Sequence, residues 1–244
     1  MGETLLLSVG ALVAATVSGA TGFGFALVAT ALWSQLLEPQ VVTVLALVFM
    51  LSLNIAYLPF FWREIPWRRL APYAAGGVLG VPLGAWALDV LPASTLRPAV
   101  GALLLAYSVW MLARVHPPAL VLSPRAGRLG DACIGLIGGF LGGLAGLSGF
   151  LPTLWCALRG GDKTSNRALV QAYILLTGVL GIAWVGGLVG IDAQVRERLW
   201  FGAPFVVVGG ALGLFVFSRL DAARFNRLVL WLLGLCGALL LVRG

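Results

Sequence analysis

Long apolar runs alternate along the chain with short polar breaks. The first run, residues 4–37, is 34 residues long. As one straight helix it would reach about 51 Å at a rise of 1.5 Å per residue, whereas the hydrocarbon core of a bilayer is about 30 Å thick. Gly19-Ala20-Thr21-Gly22-Phe23-Gly24-Phe25 stands near its middle, so a break is expected there. Residues 129–158 are again too long for one span. They carry Gly142-Gly143-Leu144-Ala145-Gly146-Leu147-Ser148-Gly149-Phe150 near their centre, followed by Pro152. Single spans are expected at 40–61, 70–90, 98–113, 168–189, 199–218 and 228–242.

The linker, residues 116–128, holds His116-Pro117-Pro118, Pro124, Arg125 and Gly127. It divides the chain into a first half, 1–115, and a second, 129–244. Each half has the same order: a broken run, then three spans. In the third element of each, Pro72-Tyr73 with Gly76-Gly77-Val78-Leu79-Gly80 resembles Pro204-Phe205 with Gly209-Gly210-Ala211-Leu212-Gly213. Gly22-Phe23-Gly24 can likewise be laid on Gly146-Leu147-Ser148. Two further sets, Gly76/Gly80/Gly84 and Gly135/Gly139/Gly143, are spaced by four, which puts each on one helix face that another helix can approach closely.

Composition fixes the solvent. With 60% hydrophobic and 10% charged residues among 244, a soluble domain could not keep its apolar surface from water. The runs lack the period-2 alternation of a lipid-facing barrel, so the spans are helical. The net charge of +7 lies in short loops and reads as orientation in the bilayer, with no nucleic-acid partner. Cys133, Cys156 and Cys236 lie in apolar runs, far apart, and read as small buried residues. No metal-ligand cluster and no cofactor motif is present, and Met1-Gly2-Glu3 lacks the basic start of a cleavable signal.

Charge decides the topology. If each over-long run crosses once, the Lys and Arg residues divide nine against seven between the two sides. If each run instead turns back at its glycines, the division is twelve against four, the asymmetry expected of a cytoplasmic side. Both termini then lie on the periplasmic side. Three true spans per half is an odd number, so the halves are inverted and their hairpin tips meet near mid-membrane. The expected fold is therefore all-α and polytopic, with two inverted repeats, each a broken re-entrant helical hairpin plus three transmembrane helices. Inverted repeats with broken helices at the midplane are a mark of secondary transporters.

New helices should start near Phe25 and near Phe150. A helix start presents unpaired N–H groups and partial positive charge, which suits an anion. The candidate substrate contacts are Thr21, Gly22, Phe23, Gly24 and Phe25 at one tip and Gly146, Leu147, Ser148 and Gly149 at the other. Thr21 and Ser148 offer hydroxyls, and Phe23 and Phe25 can exclude water. Asn54 is the strongly polar amide inside the second span and faces either a cavity or another helix. Lys163, Arg167 and Gln171 share a helix face and, with Arg159, either draw an anion inward or snorkel to the interface. Glu38, Asp89, Asp131 and Asp192 all lie near segment ends. No buried carboxylate is therefore on hand to couple transport to protons or sodium; an anion can move down its own gradient or carry its own proton.

Gly146-Leu147-Ser148-Gly149 also reads as the G-x-S-G around the serine of rhomboid intramembrane proteases. That chemistry needs a histidine base, and the one histidine, His116, is in the linker. No catalytic residue is assigned. The run Leu151-Pro152-Thr153-Leu154-Trp155-Cys156-Ala157-Leu158-Arg159-Gly160-Gly161, with Lys163, Arg167-Ala168 and Gln171, resembles the second-half signature of the TauE/SafE family, sulfite exporters also called toluene sulfonate uptake permeases. The glycine-rich broken element occurs in both halves, although Phe23 and Phe25 depart from the family's denser glycines at the first tip. The resemblance implies a transporter that moves a small sulfur-containing anion (sulfite, a sulfonate, sulfoacetate or thiosulfate) across the bacterial inner membrane. An anion channel without alternating access is the alternative.

Overall fold

The computed structural model describes residues 2–21, 24–113, 120, 122–189, 192–217 and 222–243. They form ten α-helices and no strand. The first half holds α1 (Gly2–Thr21), α2 (Phe25–Trp33), α3 (Pro39–Phe61), a 3-10 turn (Trp62–Glu64), α4 (Trp67–Val90) and α5 (Ala93–Ala113). The second holds α6 (Pro124–Ala145), α7 (Phe150–Arg159), α8 (Lys163–Val189), α9 (Ala193–Phe217) and α10 (Ala222–Arg243). Among the described residues six stretches are long and apolar enough to cross a bilayer: Pro39–Glu64, Trp67–Val90, Ala93–Ala113, Pro124–Ala145, Thr164–Leu188 and Ala193–Phe215. Large apolar side chains such as Phe60, Leu79, Trp86, Val207 and Trp231 lie exposed, as a lipid-facing surface requires. This is a multi-pass, all-α membrane protein.

The two breaks fall at the glycines. α2 has nine residues and α7 ten, about 14–15 Å each, or half the depth of a bilayer core. Neither can cross. α6 stops at Gly146, whose φ of 72° is left-handed, a conformation glycine adopts without a Cβ penalty. The Gly146 and Leu147 N–H groups turn back onto the carbonyls of Gly142 (2.8 Å) and Leu141 (3.1 Å). Gly24, with φ 96°, precedes α2.

Each broken run folds back on itself. Arg159, at the end of α7, reaches Asp131 and Gly127 near the start of α6, and Leu120 N–H donates to Leu158 O at 2.8 Å. In the first run Gly10 of α1 packs against the Trp33 indole at the end of α2. Arg69, at the start of α4, donates to Asn166 Oδ1 at the start of α8, at 2.8 Å. Arg69, Asp131, Arg159 and Asn166 therefore share one end of the molecule, whereas a single crossing by residues 129–158 would have separated Asp131 from Arg159. Glu38 and Arg97 meet at the other end, 3.7 Å apart.

The closest helix contacts join one half to the other. α4 and α6 lie glycine face to glycine face. A Cβ on Gly76, Gly80 or Gly84 would run into the main chain of Ala132, Leu136 or Phe140, and one on Gly135, Gly139 or Gly143 into that of Tyr73, Gly77 or Val81. α1 and α9 approach in the same way, Gly209 onto Leu12, Gly213 onto Thr16 and Gly19 onto Gly210. α5 and α10 meet through Gly101 and Gly237. The first arm of each broken run thus packs on the third long helix of the opposite half.

Several helices begin before the apolar runs do: α5 at Ala93, α6 at Pro124, α8 at Lys163 and α9 at Ala193. Hydropathy ends at the interface, but the hydrogen-bonded ladder continues through polar first turns. Residues 124–128, expected as linker, are the first turn of α6, capped where Ser123 Oγ accepts the Ala126 N–H at 3.3 Å. Asp131 consequently lies two turns inside a helix and is buried, not at a segment end.

Gly80→Ala is expected to destabilise the protein by roughly 1–3 kcal/mol through overpacking, read as a lower thermal midpoint in detergent. Gly187→Ala, where nothing lies within 4 Å, should leave the midpoint unchanged or raise it slightly.

Candidate functional site

A cavity lies where the two breaks converge. Gly24, Phe25, Ala26 and Leu27 bring the start of α2 to it; Gly146, Leu147, Gly149 and Phe150 bring the start of α7. Met50 and Asn54 of α3, Ile174 of α8 and Ser18 of α1 complete the wall. The space is about 290 Å³ counted to its open mouth.

The electrostatics come from the backbone. The first bonds of the two short helices are Val28 N–H to Gly24 O and Thr153 N–H to Gly149 O, both 3.1 Å. In the first turn of α7 the Phe150 N–H turns back to Leu147 O at 3.4 Å and Pro152 has no N–H; the other N–H groups of the two first turns have no partner within their helix. Each helix start carries about half a positive charge. Two starts facing one cavity, with no charged side chain in its described wall, make a site that attracts an anion and gives it donors without a full counter-charge.

Asn54 is 2% exposed. Its Nδ2 donates to Met50 O at 2.9 Å, while Oδ1 is buried without a partner among the described residues. Phe25, 1% exposed, packs edge-on to Trp33 (6.2 Å between centroids) and against Phe49 (6.1 Å), closing the wall behind the start of α2. Phe150 is held edge-on by Tyr107 of α5 at 4.6 Å.

Of the residues singled out from sequence, Gly24, Phe25, Asn54, Gly146, Leu147 and Gly149 are brought together around this cavity. Thr21 ends α1, and Gly22, Phe23 and His116 lie outside the described residues. Ser148 is fully buried, but its Cβ abuts Gly142 of α6, it is not part of the cavity wall, and its Oγ has no partner among the described residues. Arg159 also stands away from the cavity. Its Nη1 lies 2.7 Å from both oxygens of Asp131, and Trp155 Nε1 donates to the same carboxylate at 2.8 Å. This charge ties α7 to α6. Arg167 is half-buried on α8, and its charge acts on Tyr57, one turn beyond Asn54 on α3. Gln171 is buried on α8, one turn before Ile174.

Ser18, Met50 and Ile174 were not singled out. Ser18 could have been, as a polar residue one turn before the break. Met50 and Ile174 are apolar and give no signal alone; only their equal register, counted from the helix starts Pro39 and Lys163, marks them as a pair.

A second cavity adjoins the first on the side of Glu38. Thr30, Ser34, Thr43, Arg97, Leu144 and Ala145 are in its wall. Thr30 Oγ1 donates to Ala145 O (3.2 Å), and Thr43 Oγ1 shares its one proton between Pro39 O of its own helix (2.8 Å) and Leu144 O (3.1 Å). These hydroxyls cap the last carbonyls of α6 and form part of the partition between the two cavities. Arg97 reaches Glu38 at 3.7 Å and Leu37 O at 3.4 Å, both long contacts.

Comparison with protein families matches residues 6–243 to the family described as Sulfite exporter TauE/SafE. Neither the curated proteins nor the solved structures gave a match.

Asp131→Asn should leave the Arg159 guanidinium without a counter-charge and destabilise the protein by roughly 1–3 kcal/mol. The double variant Asp131→Asn, Arg159→Gln should recover part of that loss, read as thermal midpoints of the purified proteins.

Proposed function

Because the chain belongs to the TauE/SafE family of sulfite exporters, membrane transporters of sulfur-containing anions, we propose that it carries a small organic or inorganic sulfur anion through the cavity between the two breaks. Sulfite, a sulfonate and sulfoacetate fit this class. The observation that carries the reading is the convergence of two helix starts on one small cavity that has no charged side chain in its described wall. The anion's oxygens would accept N–H groups from both α2 and α7. Each donor set belongs to a different half, so a shift between halves would change how the anion is held.

In this reading the halves are inverted repeats, the cavity sits at mid-membrane, and transport proceeds by alternating access. Three features support it. The pairing of α4 with α6 is mirrored by that of α1 with α9. Phe25 and Phe150 open equivalent helices, and Met50 and Ile174 hold equivalent places. Part of the partition between the two cavities is made of hydroxyl-to-carbonyl contacts across the halves, from Thr30 and Thr43. The protein would reside in the bacterial inner membrane with both termini periplasmic.

Purified protein should show a thermal shift with sulfite or sulfonates and little with carboxylates, and proteoliposomes should show saturable flux with counterflow. Linear flux without counterflow would point to a channel. Gly149→Val adds bulk to the wall at an ordinary backbone conformation (φ −76°). It should lower anion affinity at least about tenfold, as a loss of hydrogen-bonded fit, with normal membrane insertion. Unchanged affinity would remove the cavity from the transport path.

A further inference from the structure

We propose that the transported anion is held in a protonated form and donates a hydrogen bond to Asn54 Oδ1. The inference rests on the reading of the cavity as the anion site, and narrows the class of anion. The orientation of the Asn54 amide is set by its own helix. The atom 2.9 Å from Met50 O must be the nitrogen, because a carbonyl only accepts. The oxygen is therefore the other end of the amide, buried and without a partner among the described residues, on a side chain in the cavity wall.

A buried acceptor left without a donor is unfavourable. The other polar groups facing an anion there are the first N–H groups of α2 and α7, which only donate, and the hydroxyl of Ser18, which can donate or accept. A fully deprotonated anion would satisfy them and leave its own lone pairs against Oδ1. An anion with an acidic O–H satisfies both sides: its bare oxygens accept from the two helix starts, and its hydroxyl donates to Asn54. Hydrogensulfite in its hydroxyl form has this pattern, while sulfite dianion and simple alkylsulfonates do not. The proton stays on the anion throughout, so the substrate crosses with a single negative charge. No coupling carboxylate is needed, in keeping with a described wall free of Asp and Glu.

Tyr57 lies one turn on from Asn54 along α3, and the charge of Arg167 of α8 acts on that tyrosine. The residues that α1, α2, α6, α7 and α8 contribute to the wall are Ser, Gly, Phe, Ala, Leu and Ile, none of which titrates. A pH dependence near neutrality therefore belongs to the ligand.

The test measures binding of sulfite and of methanesulfonate to the purified full chain, below and above the pH at which sulfite gains its proton. Methanesulfonate has a similar size and one negative charge but no donor at any pH. Wild type should prefer hydrogensulfite to methanesulfonate by about tenfold or more, as one hydrogen bond to a buried acceptor implies. Its affinity for total sulfite should fall as pH rises, while that for methanesulfonate stays level. Asn54→Leu should lose affinity for hydrogensulfite alone and bring the two ligands together. Equal affinities in wild type, sulfite binding that strengthens or holds level as pH rises, or an Asn54→Leu variant that weakens both ligands alike would overturn the proposal while leaving the anion site intact. Wild type that binds neither ligand would overturn both. Should Asn54→Leu fail to fold, the wild-type comparison decides.

Discussion

A helix that begins inside a membrane leaves its first N–H groups with nothing to bond to. In hydrocarbon each such group costs several kcal/mol. α2 and α7 are too short to cross, and in the proposed transport reading both start at mid-membrane, where water is scarce. The chain meets this constraint by turning both starts onto one shared cavity. Once that is fixed, much else follows: the positions of the two breaks, the glycines at them, and the need to hold two hairpins from different halves in register.

Register is held by main chain, not by side chains. Where the α4 and α6 glycines face each other, carbonyl oxygens occupy the space a Cβ would take. A contact of this kind has almost no slack, because no side chain can change rotamer to absorb a shift. The hairpin arms are secured at their outer end by charge, Arg159 on Asp131, and by Arg69 on Asn166. By contrast, α2 and α3 reach the last carbonyls of α6 through single hydroxyls, those of Thr30 and Thr43. The molecule is stiff along its glycine faces and lightly fastened around the cavity.

Much of this was legible because a bilayer is a ruler. A 34-residue apolar run cannot fit one span, so residues 4–37 and 129–158 announced their breaks, and the four-residue spacing of Gly76, Gly80 and Gly84 announced a packing face. Spacing does not say which face meets which, however. That Gly76 meets α6 and Gly209 meets α1 depends on three-dimensional order, which leaves no periodic trace. Arg159 looked available for an anion because its partner lies 28 positions away and helix α6 starts earlier than hydropathy suggests. Ser148 sits in the right tripeptide, yet one residue of rotation around the break turns its side chain to Gly142. Met50 and Ile174 carry no chemistry that a sequence could flag.

The cross-half pairing also governs how the chain is built. Helix α1 leaves the ribosome first, yet the glycines it packs against, Gly209 and Gly213, are nearly the last part of the chain to appear. At about 5–20 residues synthesised per second, the wait is on the order of ten to forty seconds. During that time α1 exposes a close-packing face that has no partner. The same holds for α4 until α6 follows, though more briefly. Insertion must therefore run well ahead of assembly, and whatever shelters nascent helices at the membrane has to keep the earliest one available for the latest.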